Sequence, residues 1–317
     1  MNNPVLSVCL ITYNQALYIR QAVESILLQH STFEWELIIA DDCSRDGTAD
    51  IVREYSVKYP DRIRLILQDR NVGAARNWSD LMRSAQGKYI AYLEGDDYWT
   101  DPGKLEKEVA FLENNADYSL VCTDYDILAH SSGELTGNFL GKKYGLKKEH
   151  DIVLADYIFS RRAIRSLTVV FRRDMLEAYF NEIGTEVTHN PSAGDLPLWL
   201  FILSRSRARY MPCSTATYRI LPGTGSRPVD PLRKKTFQDG VCDILEYFID
   251  RNKLPHSFKN KLGIQRTLNQ MEYSLSAGNK RANLKSFLAL LSKGVVSRRA
   301  FNIVIKSIFR APKGVAE

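Results

Sequence analysis

The sequence predicts an α/β protein with a mostly parallel central sheet, helices on both faces of that sheet, and a helical C-terminal extension. Three observations carry this. Strand-like apolar runs alternate with helix-like segments from residue 5 to about 128. The runs are apolar along their whole length, as strands buried on both faces are. Beyond residue 236 the pattern turns all-helical.

The elements follow in order. "VLSVCLITY" (5–13) is the first strand. Asn14 is expected to cap a helix whose apolar positions Leu17, Ala22, Val23, Ile26 and Leu27 recur at helical spacing. "WELIIADD" (35–42) is a second strand, followed by a helix to about Tyr59. "RIRLILQD" (62–69) is a third, and the helix after "NVG" is expected to stop at Gly87 in a left-handed conformation. "YIAYLEGDD" (89–97) is the fourth strand. Asp101-Pro102 suits a helix start, with Asp as cap and Pro at the first helical position. "SLVCTDYDIL" (119–128) is the fifth strand. Residues 130–150 read as a polar loop, "SLTVVFRR" (166–173) as a strand, and "MLEAYFNEI" (175–183) as a helix. "NPSAGDLPLWLFIL" (190–203) reads as a turn into a buried helix, "YMPCSTATYRI" (210–220) as strand pairs, and "LPGTGSRPVDP" (221–231) as a Gly/Pro loop.

The 317 residues suffice for one large domain or two smaller ones. No run of about 18 uncharged apolar residues occurs, so no membrane-spanning helix is expected, and no export signal is evident at the N-terminus. The five cysteines (Cys9, Cys43, Cys122, Cys213, Cys242) are scattered and never spaced Cys-x-x-Cys. This reads as a reduced, cytoplasmic protein without a disulfide frame or thiolate zinc site. The net charge of +6 hides an asymmetry: residues 231–317 hold 17 Lys/Arg against 6 Asp/Glu, and residues 1–230 hold 26 against 31. A basic tail on an acidic body suggests an anionic partner for the tail.

In parallel α/β sheets, ligands bind outside the carboxyl ends of the strands. Acidic pairs fall at two of those ends, Asp41-Asp42 and Asp96-Asp97. Consecutive side chains of a strand point to opposite sides, so each pair can serve two tasks. Thr12-Tyr13-Asn14 and Asp69-Arg70-Asn71 close the other two strands, and the four ends are expected to line one crevice. A carboxylate pair there can hold a hard divalent ion, Mg²⁺ or Mn²⁺, that leaves positions open for phosphate. Neither a Gly-x-x-x-x-Gly-Lys-Ser/Thr loop nor a Gly-x-Gly-x-x-Gly turn follows the first strand, which argues against P-loop and dinucleotide redox chemistry.

"LITYNQ" (10–15), "IIADDCSRDGT" (38–48), "RNVGAARN" (70–77) and "EGDDYWTDPGKLEKEV" (94–109) together resemble, in order and spacing, the inverting glycosyltransferases of family 2. The resemblance covers about residues 4–230. It implies a GT-A fold, a nucleotide-diphosphate sugar donor, most readily a UDP-sugar, and a Mn²⁺ or Mg²⁺ cofactor. It divides the chain into a catalytic domain, 1–230, with a nucleotide-binding half (1–128) and an acceptor-binding half (129–230), and a basic helical region, 231–317. "EGDDYW" looks like the family's version of the Asp-x-Asp metal motif.

Residue by residue, the resemblance assigns Thr12 to the base pocket, with Tyr13 and Asn14 beside it in donor binding, and Asp42 to a hydrogen bond with the base. Arg70 and Asn71 fall near the nucleotide, and Asp96 falls by the ribose, sugar and metal. Asp97 falls on the metal that bridges the phosphates. Asp195 matches the family's catalytic base, with Glu186 and Asp174 as weaker candidates. Trp99 either stacks on a sugar or packs inside. The family's basic loop over the donor corresponds to residues 218–227, where Arg219 or Arg227 would contact phosphate. The chain lacks a Gln-x-x-Arg-Trp motif and membrane spans, so transfer of a single residue is expected rather than polymer synthesis.

Residues 282–313 combine apolar residues at helical spacing with Lys and Arg. They read either as an amphipathic contact with an anionic membrane or as a helical cap with a solvated basic face. Peripheral attachment to the inner face of the membrane would suit a lipid-linked saccharide acceptor, as in bacterial surface polysaccharide assembly. No motif for nucleic acid is present. A nucleotidyltransferase and a catalytically silent sugar-nucleotide-binding scaffold stand as alternatives.

Overall fold

The structure is a computed structural model that describes residues 4–160, 163–183, 194–221, 229–292, 294–295 and 297–309. These fall into two compact units, the first ending at Leu221.

The first unit opens with β1 (Leu6–Thr12), α1 (Ile19–Leu27), β2 (Trp35–Asp41), α2 (Thr48–Lys58), β3 (Ile63–Leu67), α3 (Ala74–Ser84) and β4 (Tyr89–Glu94). These four strands are parallel, in the order β3-β2-β1-β4. The short β5 (Tyr98–Trp99) and helix α4 (Lys104–Asn114) lead to β6 (Tyr118–Ala129). Next come β7 (Leu135–Thr136), α5 (Phe139–Tyr144), β8 (His150–Ile152) and α6 (Leu154–Ser160). A 3₁₀ turn (Ser166–Thr168), β9 (Val170–Arg172), α7 (Arg173–Glu182), α8 (Leu196–Leu203) and β10 (Arg207–Ile220) complete the unit. β9 runs antiparallel between β4 and β6, so the expected mostly parallel sheet has one reversed strand inside it.

Leu6, Val8 and Leu10 of β1 share one core with Leu37 and Ile39 of β2 and with Ile19, Val23 and Ile26 of α1. Cys9, Ile38 and Ile90, on the alternate positions, are buried as well, and Trp78, Leu81 and Met82 line the buried side of α3. Both sheet faces are therefore covered. None of the five cysteines forms a disulfide.

Several local expectations are corrected. Asn14 caps no helix: α1 starts at Ile19, Leu17 is exposed outside it, and Asn14 takes a left-handed φ of 52°. Its side-chain oxygen accepts from Arg45 N at 2.9 Å, which ties the loop after β1 to the loop after β2. Gly87 is not a left-handed stop. Glycine is needed there because a Cβ would lie 2.5 Å from Ser7 N. β4 ends at Glu94 and not Asp97, and the chain turns at Gly95-Asp96. α4 begins at Lys104, two residues late, because Asp101 Oδ1 accepts from Gly103 N at 2.9 Å and holds a turn. The expected loop at 130–150 contains β7, α5 and β8. Its helix is fixed from a distance, since Asp124 of β6 accepts from Leu140 N and Gly141 N at 2.8 and 2.9 Å. Residues 207–220 form one strand with register shifts between Met211 and Ser214, where Pro212 cannot donate to a ladder.

The described residues of the second unit form four helices: α9 (Pro231–Arg251), α10 (His256–Ser276), α11 (Lys280–Ser292) and α12 (Arg298–Phe309). Leu268 and Met271 of α10 bury against Leu290 of α11 and Ala300 and Ile303 of α12. The basic tail is thus a folded helical unit with its own apolar core. None of the described helices is long and apolar enough to cross a membrane.

Candidate active site

The register aligns Thr12 with Asp41, Ile11 with Glu94, and Asp41 with Leu67, so β1 to β4 end along one edge. The loops beyond that edge are laced together. Gln15 N donates to Thr48 Oγ1 at 2.8 Å, and Ala16 N to Asp46 at 2.9 Å. Burial would raise the Asp46 carboxyl, but bonds from Thr48 and Ala16 outweigh it and hold the group below its ordinary range.

The two carboxylates of the first pair have different partners. Asp41 accepts from Ser44 N and Oγ and stays buried. Asp42 accepts from Val72 N at 2.7 Å and Gly73 N at 3.0 Å, which fixes the turn into α3. Gly73 has a φ of 86°, a conformation open to glycine. Asn71 reaches Asp42 O at 3.4 Å, whereas Arg70 is exposed and has no ion-pair partner among the described residues. Tyr13 is exposed as well.

At the end of β4, Glu94, Asp96 and Asp97 bring one carboxylate oxygen each within 4.8 Å of one another. Gly95 makes this possible, because a Cβ there would stand 2.6 Å from Gln15 Oε1 and 2.9 Å from Thr12 Oγ1. Thr12 Oγ1 donates to Gln15 Oε1 at 2.8 Å, and the Gln15 amide in turn bonds Asp96. Desolvation in the crevice, then the charges of Asp96 and Asp195, push the Glu94 carboxyl up to about 8, against the pull of Arg165. Burial, then Asp96 and Glu94, raises Asp97 well above the usual carboxylate range. Asp96 is raised by burial, with Arg219 and Gln15 opposing.

Arg219 belongs to β10 and not to a loop. Its N–H donates to Asp97 Oδ1 at 2.8 Å, and its guanidinium bonds Asp96 O and Gln21 between the rings of Tyr18 and Tyr98. It braces the acidic turn. Trp99 is 4% exposed and donates to Leu167 O at 2.9 Å, so it packs inside rather than offering a face to a sugar. Asp195 stands at the N-cap of α8 without a side-chain capping bond, and it accepts instead from Ser166 Oγ. Its charge is felt by Glu94, so the two lie within electrostatic reach. Asp174 is exposed on α7. Arg227 and Glu186 lie outside the described residues.

Sequence reasoning missed Glu94, Gln15, Arg165 and Ser166. Glu94 carried a usable signal, standing two residues ahead of Asp96 at a strand end. Arg165 and Ser166 carried none, because only the tertiary fold brings them to the crevice. Arg165 is solvent-accessible and donates from Nε to Tyr125 OH at 3.3 Å.

The model of the glycosyl transferase family 2 matches residues 7–168. Among curated relatives, an uncharacterised protein of Mycobacterium tuberculosis is 38% identical over 168 residues, 53% of this chain. The chain spans 47% of that relative's length, about half. TuaG of Bacillus subtilis, a glycosyltransferase named for teichuronic acid biosynthesis, is 33% identical over 236 residues, 74% of this chain and 86% of TuaG. WfgD of Escherichia coli, a UDP-Glc:alpha-D-GlcNAc-diphosphoundecaprenol beta-1,3-glucosyltransferase, is 28% identical over 213 residues, 67% of this chain and 75% of WfgD. Two solved structures share the fold. Staphylococcus aureus TarS 1–349 in complex with UDP has a TM-score of 0.55 at 17% identity, covering 95% of this chain and 88% of that one. The mannosyltransferase PcManGT from Pyrobaculum calidifontis, in complex with GDP-Man and Mn²⁺, has a TM-score of 0.60 at 18% identity, covering 97% and 85%.

Proposed function

The chain belongs to glycosyl transferase family 2, and from that premise we propose that it is an inverting, metal-dependent transferase. It moves one sugar from a nucleotide-diphosphate donor, a UDP-sugar, to a saccharide or lipid-linked saccharide acceptor in bacterial surface polysaccharide synthesis. The observation that carries this reading is the acidic turn at the end of β4, where Glu94, Asp96 and Asp97 bring carboxylate oxygens within 4.8 Å of one another inside the stretch that the family model matches.

Three hard oxygen donors this close suit Mn²⁺ or Mg²⁺. Burial first, and then mutual repulsion, raises Glu94 and Asp97, and a divalent cation would relieve both by supplying a counter-charge. Asp96 and Asp97, with Glu94, would hold it. When bound, it supplies positive charge against the leaving diphosphate. Thr12, Tyr13, Asn14, Asp42, Arg70 and Asn71 gather the nucleoside at the ends of β1, β2 and β3. Asp42 keeps spare lone pairs for a base N–H beside its two backbone bonds. Asp195 takes the proton of the acceptor hydroxyl. Arg219 holds the acidic turn in shape, and the named chemistry of TuaG and WfgD supports the acceptor class. We place the protein at the cytoplasmic face of the membrane, held peripherally by its basic helical unit.

A thermal-shift screen of nucleotide diphosphates and their sugars, with and without Mn²⁺, tests the donor reading. A ligand present at 100 times its dissociation constant stabilises the native state by about 2.7 kcal/mol. UDP-sugars should raise the melting point in the presence of Mn²⁺. A screen in which no nucleotide shifts the melt would refute it.

A further inference from the structure

The second unit holds an open cavity of about 570 Å³. Lys234 of α9, Glu272 of α10, and Arg298, Arg299, Asn302 and Lys306 of α12 line it. Four cations face one carboxylate. Glu272 is already engaged: Arg299 bonds it at 2.6 Å and Lys234 lies 3.5 Å away. Burial alone would raise the Glu272 carboxyl, but these two neighbours hold it below its ordinary range. Arg298 and Lys306 have no anionic partner among the described residues.

The position of the arginines sharpens this. Arg298 and Arg299 are the first two residues of α12, where unpaired backbone N–H groups already carry positive partial charge. Cations are disfavoured at a helix N-terminus, so their gathering there works against the stability of the helix. A multivalent anion seated between them, Lys234 and Lys306 would relieve that strain. Asn302 adds a neutral side-chain donor. The described lining contains no aromatic ring on which a nucleobase could stack.

We propose that this cavity is a binding site for a phosphate-bearing group, a mono- or diphosphate without a base, separate from the acidic crevice of the first unit. The proposal does not depend on the transferase reading. The phosphate could come from a soluble compound or from a lipid headgroup. Phe301 and Ile305 stand exposed on the same helix, so an amphiphile could bury its first methylenes beside the charge.

Titration calorimetry of the full chain with inorganic pyrophosphate, in EDTA at fixed ionic strength, tests it. Without a divalent ion the acidic crevice repels pyrophosphate, so binding reports on the cavity. Saturable binding is expected, weakened about tenfold or more in the double variant Arg298→Gln/Lys306→Gln, since charge-assisted bonds are the strong ones. Neither side chain makes a hydrogen bond or ion pair among the described residues, and an unchanged melting curve checks that the fold does not need them. The control Arg281→Gln/Lys285→Gln removes the same charge from α11 and, in the calorimetry without vesicles, should bind pyrophosphate as the parent does. Equal weakening in both variants, or no saturable binding to pyrophosphate or to vesicles, overturns the proposal. A second arm identifies the source. Vesicles of phosphatidic acid that bind the parent but not the cavity variant, and that release it to excess pyrophosphate, point to a lipid headgroup. Pyrophosphate binding with no cavity-dependent vesicle binding points to a soluble phosphate.

Discussion

The Ser166 hydroxyl donates to the Asp195 carboxylate, joining the 3₁₀ turn before β9 to the first residue ahead of α8. An Asp at this position ordinarily caps its own helix. Here the side chain makes no capping bond, and its charge adds to those that raise Glu94. The carboxylate is held by a neighbour while its other oxygen has no protein donor among the described residues, which is what proton abstraction requires.

Asp195→Asn should therefore keep donor affinity and lose transfer by about 10² to 10⁴, the range a positioned base contributes. Ser166→Ala should lower turnover less and leave the donor dissociation constant unchanged, while shifting the pH profile of turnover. Near-normal transfer by the Asn variant, measured as sugar incorporated into acceptor, would return Asp195 to a structural role.

Asp97→Asn separates the metal from the fold. The amide oxygen can still accept from Arg219 N, so the acidic turn should survive. Turnover should fall at least about 10²-fold, because a Lewis-acid contribution of several kcal/mol is at stake and each 1.36 kcal/mol is a factor of ten. Mn²⁺ should no longer strengthen nucleotide binding. Full activity of the parent protein in excess EDTA would sink the metal assignment.

A buried ion pair behind the site sets a pH dependence. Lys104 Nζ contacts both Glu108 oxygens at 2.7 Å and Thr168 O at 3.2 Å, and it lies over the Trp99 ring. Burial pushes the Glu108 carboxyl up to about 7, even with Lys104 opposing. The folded pKa exceeds the unfolded one. The stability this group contributes is therefore fully present below about 4.5 and lost as pH rises through about 7. Glu108→Gln should flatten that part of the melting-temperature profile between pH 4.5 and 7, and an unaltered slope would rule it out. Lys104→Met should cost about 3 to 5 kcal/mol in denaturant unfolding above pH 7, where Glu108 is ionised beside Lys104 in the parent, and less at lower pH, where the carboxyl is neutral.

The four parallel strands and the acidic ends were legible because each strand is a continuous apolar run, and period and burial are local properties. What escaped depends on contacts distant in sequence. α5 is fixed by Asp124, 15 residues ahead of it. Gly87 looked like a helix stop, yet its constraint is the Ser7 backbone 80 residues away. Arg219 looked like a loop cation, but its β-strand and its bond to Asp97 span 122 residues. The composition "EGDD" announced a cluster, while the turn at Gly95 that folds Glu94 into it needed the approach of Gln15.

The basic helical unit carries the last prediction. On α11, Leu284, Leu288 and Leu291 recur at i, i+4 and i+7 and are 52%, 55% and 41% exposed. Arg281 and Lys285 flank that stripe at helical spacing. The opposite side of the helix buries Leu290 in the core with Met271 and Ile303. An apolar stripe left outside a satisfied core, with cations beside it, suits an anionic membrane surface, where each basic residue adds about 1 kcal/mol. Truncation near residue 280 is a poor test, because it strips Leu290, Ala300 and Ile303 from Leu268 and Met271 and should unfold the unit. Leu284→Ser/Leu288→Ser instead alters exposed side chains and should leave the melt unchanged. The parent protein should sediment with anionic vesicles more than with neutral ones, and added salt should weaken this as the Debye length shortens from about 10 Å at 0.1 M. The serine variant should lose much of that binding while its nucleotide affinity stays intact. Equal sedimentation of parent and variant would dismiss the stripe as a membrane contact.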